Sequence, residues 1–388
     1  MSLSCPSRRA VLAGGLAAAA PAVAAAPAVA AADPLAGLVV VNSLGALGDP
    51  NWEPPAGTPQ SETIVHNMAE AVTPTLIDDL RRSGLTALVT TVGHVSGPAD
   101  PFEHTVADIG RLDRGLRRWP DRLLKVMTAA DIRRAKAERK TGVIYATQNS
   151  LMLEDRPQRV DVFADLGVRQ FQLTYNLPTP LGDGSLAPEN RGLTPLGRQV
   201  VERLNANRLM IDLSHSGERI CLDAIAASKA PIVISHTGCA ALAPSPRNKT
   251  DAELRGVAEK GGYVGIYFMP FLTPGRQPMA ADAIAHIEHA LKVCGEDCVG
   301  VGTDGFVSAV DLEAMRKAQA EYVALRRQQG IAAPGESGDI LFLLPDLFGP
   351  DQFRRLAELL QARGHPARRI EKILGANYLR AAADIWGG

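Results

Sequence analysis

Two short apolar runs, "LMIDL" at 209–213 and "PIVI" at 231–234, are each followed at once by Ser-His, which places His215 and His236 at the ends of neighbouring strands. A third run, "CVGVGTD" at 298–304, closes on Asp304. Imidazole and carboxylate are the ligand types of catalytic zinc sites, which leave one position open for water. They are also the groups that move protons near neutral pH. Further polar residues fall at strand ends: Asn42, His94, Gln148, and the pair Tyr175-Asn176. Tyr175, a phenol, suits donation of a hydrogen bond to a developing oxyanion better than service as a base. Arg247, in "SPRNKT", offers a guanidinium that can grip a carboxylate through two parallel bonds.

The elements that must position these groups alternate along the chain. Short β-rich runs lie at 38–42, 86–92, 142–148, 168–175, 209–215, 231–236, 261–268 and 298–304. Between them stand helical patterns such as "TPLGRQVVERLNAN" and "ADAIAHIEHALKVC", with apolar residues recurring at three and four. Near-continuous apolar strands separated by helices predict a parallel sheet covered on both faces. Eight such units predict a (β/α)₈ barrel, whose chemistry sits at the carboxyl ends of the strands. A doubly wound open sheet is the alternative, and "LLKVMT" at 123–128 is a possible extra strand.

The chain has 388 residues, 46% hydrophobic and 21% charged, with formal net charge −1 and no basic block, so nothing points to nucleic acid. Residues 1–32 carry Arg8-Arg9, an Ala-rich apolar run and an A-x-A ending, the pattern of a cleaved twin-arginine export signal. Its removal takes away two arginines and no acid and gives the remainder a charge of −3. The expected product is a periplasmic or secreted single barrel domain, 33–388, with C-terminal helices and no stable membrane span. In an oxidising compartment Cys294 and Cys298 could close a small disulfide loop. Buried or free thiols are the alternative for these two and for Cys221 and Cys239. Asp183 and Glu189, in the long Gly- and Pro-rich loop after Asn176, are candidate substrate contacts or solvated loop residues. His66, His286, His289 and His365 fall on predicted helices and read as structural.

Five blocks in order resemble the membrane dipeptidase (renal dipeptidase) family of zinc hydrolases. These are "GLTPLGRQVVERLN" with "IDLSHSGE", then "PIVISHT", "SPRNKTDAELRGVAEKGGYVGI", "CVGVGTD" and "EKILGANYLR". The resemblance implies a metal-dependent-hydrolase-like (β/α)₈ barrel, metal ligation by His215, His236 and Asp304, and a substrate carboxylate held by Arg247. It also implies a small-molecule substrate with a free carboxylate and a possible homodimer, while Asn176, beside Tyr175 at its strand end, is a candidate substrate contact.

The departures are equally specific. Where the family carries a His-x-Asp pair on strand one, this chain has Leu44 and Ala46 in "NSLGA". The bridging Glu becomes Gln148, and the catalytic His becomes Tyr175. Two zinc ions would then keep about +3 of uncompensated charge, which a buried site does not tolerate. One zinc, held by His215, His236 and either Asp304 or the Gln148 amide, is the most the sequence admits. His94, His104 and Asp49 are the residues nearest to hand as substitute ligands, although Asp49-Pro50 also fits a turn. The reading is an exported dipeptidase-like metallohydrolase in which Asp304 takes the proton from water and Gln148 and Tyr175 polarise the carbonyl. Its alternative is a barrel that binds or otherwise transforms an amino-acid-derived small molecule without this hydrolysis.

Overall fold

The computed structural model describes residues 33–53 and 71–387. The expected export segment and His66 lie outside the described residues. Nine parallel strands form one sheet: β1 Val41–Gly45, β2 Ala87–Thr91, β3 Leu123–Lys125, β4 Thr141–Thr147, β5 Val168–Gln172, β6 Met210–Asp212, β7 Val233–Thr237, β8 Tyr263–Ile266 and β9 Val299–Val301. The order is β1-β2-β4-β5-β6-β7-β8-β9, and β3, the "LLKVMT" run, pairs only with β4 outside that path. Eight strands thus make a nearly closed parallel barrel with helices around it, as the alternation of apolar runs and helical patterns predicts.

The seam between β9 and β1 is stitched rather than laddered. Asp304 N–H donates to Leu44 O (2.9 Å) and Ala46 N–H to Gly305 O (3.0 Å). The Asn42 amide exchanges bonds of 2.9 Å with the Thr303 hydroxyl and backbone N–H. Ser43 Oγ reaches inward to Ser235 O (2.6 Å) and Val301 O (3.0 Å), and Tyr263 donates its hydroxyl to that same oxygen. Asn42 and Ser43 are wholly buried. This is why β1 runs on to Gly45, beyond the polar residues at which the sequence predicts its end: their side chains find partners across the barrel, so burial carries no unmet hydrogen bond.

Glycines make room for this crossing. A Cβ at Gly265 would lie 2.0 Å from Ser235 O and 2.6 Å from Ser43 Oγ, and one at Gly302 would be as crowded. Gly265→Ala is therefore expected to cost on the order of 2–3 kcal/mol by overpacking. Urea unfolding measures it, and a loss below a few tenths would show the barrel interior to be pliable.

The helices begin where side-chain caps dictate. Thr194 caps Gly197 N–H ahead of helix Pro195–Ala206, and Thr250 with Glu253 forms a capping box on Asp251–Glu259. The last helix, Asn377–Trp386, covers one side of the barrel core: Tyr378 donates to Gln170 Oε1, Asn377 to Val299 O and Trp386 to Arg169 O. Long apolar side chains such as Phe163, Phe171, Leu204 and Ile287 fill the space between strands and outer helices. Cys221, Cys239, Cys294 and Cys298 are all free thiols. Cys294 and Cys298 instead direct their sulfurs at Leu254 O and Ala258 O, so the disulfide loop does not form.

Candidate active site

Asp212, the last residue of β6, organises the two Ser-His endings. Its buried carboxylate accepts from the Ser214 N–H (3.1 Å) and hydroxyl (2.6 Å), the Ser235 N–H (3.0 Å) and hydroxyl, and the Gln170 amide (3.1 Å). Burial pushes its pKa upward against the four bonds from Ser214 and Ser235. Because Ser235 spends its hydroxyl proton on Asp212, its oxygen can only accept from His236 Nδ1 at 2.8 Å. His236 therefore holds its proton on Nδ1. Its Nε2 is a buried lone pair without a partner among the described residues.

His215, three residues beyond β6, is fixed differently. Asn176 gives its amide N–H to Ile331 O (2.7 Å), which turns its oxygen toward His215 Nδ1 at 2.6 Å. The proton is then on Nδ1, and the Nε2 lone pair accepts from Arg247 Nη2 at 2.9 Å. The two imidazoles stand with ring centroids 5.0 Å apart. Burial, with the Arg247 charge next, holds both well below the ordinary histidine pKa, so both are neutral.

A cavity of about 820 Å³ opens over this cluster, lined among others by His215, Arg247, Tyr175, Gln148, Asp304 and Arg326. Asp304 sits just past β9 with φ +56°, a left-handed conformation that Asp tolerates better than most residues. Burial raises its carboxyl to about 6, against the pull of Arg247 and Arg326. Tyr175 stacks on His215 with centroids 4.0 Å apart, and its oxygen accepts from Arg326 Nη1 at 3.0 Å, so the phenolic proton is free to be donated. Gln148 gives one amide N–H to Thr91 (2.7 Å) and keeps the other. Arg247 is 1% exposed; among the described residues its guanidinium donates, besides His215, only to Ser214 O (2.8 Å), and no described carboxylate lies within ion-pair distance.

The structure brings together His215, His236, Arg247, Tyr175, Gln148 and Asp304, and reassigns others. Asn176 stands behind His215 rather than against a ligand. Asp49 accepts from Asn51 and Thr73, a turn role. Asp183 is buried and paired with Arg191, while Glu189 stays at the exposed end of that same loop. His94 and His104 line the far wall of the cavity, edge to face at 5.7 Å. His286, His289 and His365 bond to Leu272 O, Asp251 and Glu288. Arg326 and Glu336, joined by two bonds of 2.6 and 2.7 Å, are functional neighbours with no sequence motif.

The expected three-ligand zinc site is not assembled. Among the described residues no three His, Cys, Asp or Glu side chains are grouped to hold an ion. The physical reason is Arg247: its guanidinium occupies the lone pair that His215 would give a metal, and sets a positive charge where a divalent cation would sit. Leu44 and Ala46 supply no donor. The described residues do not fit the metal. After dialysis the protein should hold far less than one zinc per chain by elemental analysis, and Arg247→Gln, which uncaps His215, should raise the amount. Stoichiometric zinc in the unaltered protein would contradict this.

The site thus sets two neutral imidazoles, a carboxylate and a guanidinium at one mouth of a parallel barrel. A family model for membrane dipeptidases, peptidase family M19, matches residues 66–330. The chain is 30% identical to a solved amidohydrolase from Pseudomonas aeruginosa, over 92% of this chain and 99% of that one, with a TM-score of 0.75. It is 31% identical over 288 residues to dipeptidase tcpJ of Claviceps purpurea, 72% of this chain and 60% of that protein, so it spans about 60% of that relative's length. A metallopeptidase from Rhodobacter sphaeroides, solved with a phosphinate mimic of the dipeptide L-Ala-D-Ala, shares the fold at 21% identity and a TM-score of 0.69, over 90% and 99% of the two chains. The chain belongs to the membrane dipeptidase family. It is a metallodipeptidase-like hydrolase.

Proposed function

We propose that the protein hydrolyses an amide bond in a dipeptide or dipeptide-like small molecule that carries a free carboxylate. The observation that carries this reading is Arg247. A buried guanidinium without a carboxylate partner is costly unless an anion completes it. It sits in a cavity whose other polar groups suit acyl transfer to water.

Each group then has one task. Arg247 orients the carboxylate of the substrate. Asp304, raised by burial, takes a proton from the attacking water and returns it to the leaving amine. Tyr175 donates to the oxygen on which negative charge develops, with Arg326 behind it, and the free Gln148 N–H assists. His215 is the platform on which Tyr175 rests. A second reading, a binding protein without turnover, is favoured by the capped His215 and the donor-free Leu44 and Ala46. Amino-acid release from a panel of dipeptides and acyl-amino acids separates the two, and absence of release from every member would sink the hydrolytic reading. Tyr175→Phe removes the donor and keeps the stack, so kcat should fall by about 10²-fold with KM nearly unchanged.

We further propose export through the twin-arginine route to the periplasm or exterior, on the strength of Arg8-Arg9 and the Ala-rich run. Among the described residues no helix is long and apolar enough to cross a membrane.

A further inference from the structure

The cavity has a direction. Starting at Arg247, successive contacts link His215 (2.9 Å), the Tyr175 ring stacked on it (centroids 4.0 Å apart), Arg326 (3.0 Å) and Tyr322, whose ring lies 5.5 Å from the Arg326 guanidinium. A substrate anchored by its carboxylate at Arg247, with its scissile carbonyl at Tyr175, therefore extends its acyl part toward the helix Leu312–Gln328. That helix turns one face to the cavity. Met315, Ala318, Tyr322 and Leu325 follow the spacing of a single helical stripe, and Phe306 and Phe342 also line the cavity. Phe306 remains 37% exposed, a large ring left without full cover beside the site.

The charges at that end are already used. Among the described residues three carboxylates line the cavity: Asp304, Glu321 and Glu336. Both Glu336 oxygens hold Arg326, and one also accepts the Ala333 N–H at 3.0 Å. Glu321 is itself engaged. Asp304 is needed at the amide. The α-ammonium of a free dipeptide would thus arrive at a mainly apolar wall beside a guanidinium, with no unengaged carboxylate among the described residues to meet it. The cavity volume, about 820 Å³, falls in the upper part of the ~300–1,000 Å³ range of pockets that enclose drug-sized ligands.

We infer that the substrate is an N-acylated amino acid, with a free carboxylate on one side of the scissile amide and an uncharged, bulky apolar acyl group on the other. The inference rests on the hydrolytic reading for its chemistry and on the cavity wall for its substrate class. Water adds to the carbonyl carbon, the C–N bond breaks, and the proton removed from water goes to the leaving amine. The products are a carboxylic acid and a free amino acid.

The test uses the full chain with N-decanoyl-alanine, N-acetyl-alanine and Ala-Ala, each with L- and D-alanine at the carboxylate end. Both turnover and calorimetric binding are measured. Each buried methylene contributes about fourfold, so kcat/KM for decanoyl-alanine should exceed that for acetyl-alanine by at least ~100-fold. Ala-Ala should be the poorest of the three. Leu325→Glu, on the partly exposed face of the helix, should bring the decanoyl-to-acetyl ratio below about tenfold. Cleavage of Ala-Ala as fast as decanoyl-alanine overturns the acyl assignment and leaves hydrolysis standing. Tight, Leu325-sensitive binding of decanoyl-alanine without cleavage upholds the ligand class and removes the hydrolytic reading. Equal binding of all three, or of none, overturns the inference.

Discussion

Asp304→Asn is expected to lower kcat by about 10³-fold, within the range that positioned general bases contribute, while KM changes little. The substitution is nearly isosteric. Asn also tolerates the left-handed backbone at this position, so the bond from residue 304 N–H to Leu44 O survives and the β9–β1 seam stays closed. What is lost is the ability to take a proton, because an amide oxygen at this site has no useful basicity. Gln148 and Tyr175 cannot substitute, since one is an amide and the other a phenol that presents a donor. Steady-state kinetics on whichever panel member is cleaved supplies the measurement. Activity within tenfold of the unaltered protein would remove Asp304 from the chemistry, and zinc analysis on the same sample shows whether a change in metal content contributed.

The second large effect concerns Arg247. Lysine keeps the charge but cannot form the two-pronged contact, and its shorter reach cannot serve Ser214 O, His215 and a ligand together. Arg247→Lys should reduce kcat/KM on a carboxylated substrate by about 10³-fold, the scale of losing a charge-assisted pair in a dry site. The same substrate presented as its methyl ester should lose far less, because it never completed the ion pair. An equal loss on acid and ester would mean that Arg247 serves only to hold His215. Thermal unfolding belongs beside these kinetics, because Arg247 is buried and touches two site elements.

Much of the scaffold was legible before any coordinates. Runs such as "GVIYATQ" and "PIVISH" are apolar enough to be buried strands, and the helical periods between them are clear. The extra strand was visible as "LLKVMT" but not its place outside the barrel path, because pairing partners leave no local mark. Strand ends slipped where polar residues are buried: Asn42 and Ser43 look like an ending until their partners Thr303, Ser235 and Val301 appear from remote parts of the chain. Within the site, His215, His236 and Asp304 could be named because strand ends in such a barrel share one mouth. Arg326 could not, because "LRRQQG" reads as an ordinary solvated helix terminus and its partner Tyr175 is 151 residues away. Asp212 was equally hidden, one acid in an apolar strand whose five bonds come from Gln170 on β5, Ser235 on β7 and Ser214 in the loop after β6.

That hub has an implication for how such chains are sorted. With Asp212 locking the tautomer of one imidazole, and Asn176 and Arg247 gripping the other, both rings have architectural work that does not depend on an ion. Two Ser-His endings are then a signature of ancestry. The occupants of positions 44, 46 and 148 are the better guide to whether a descendant still carries an ion.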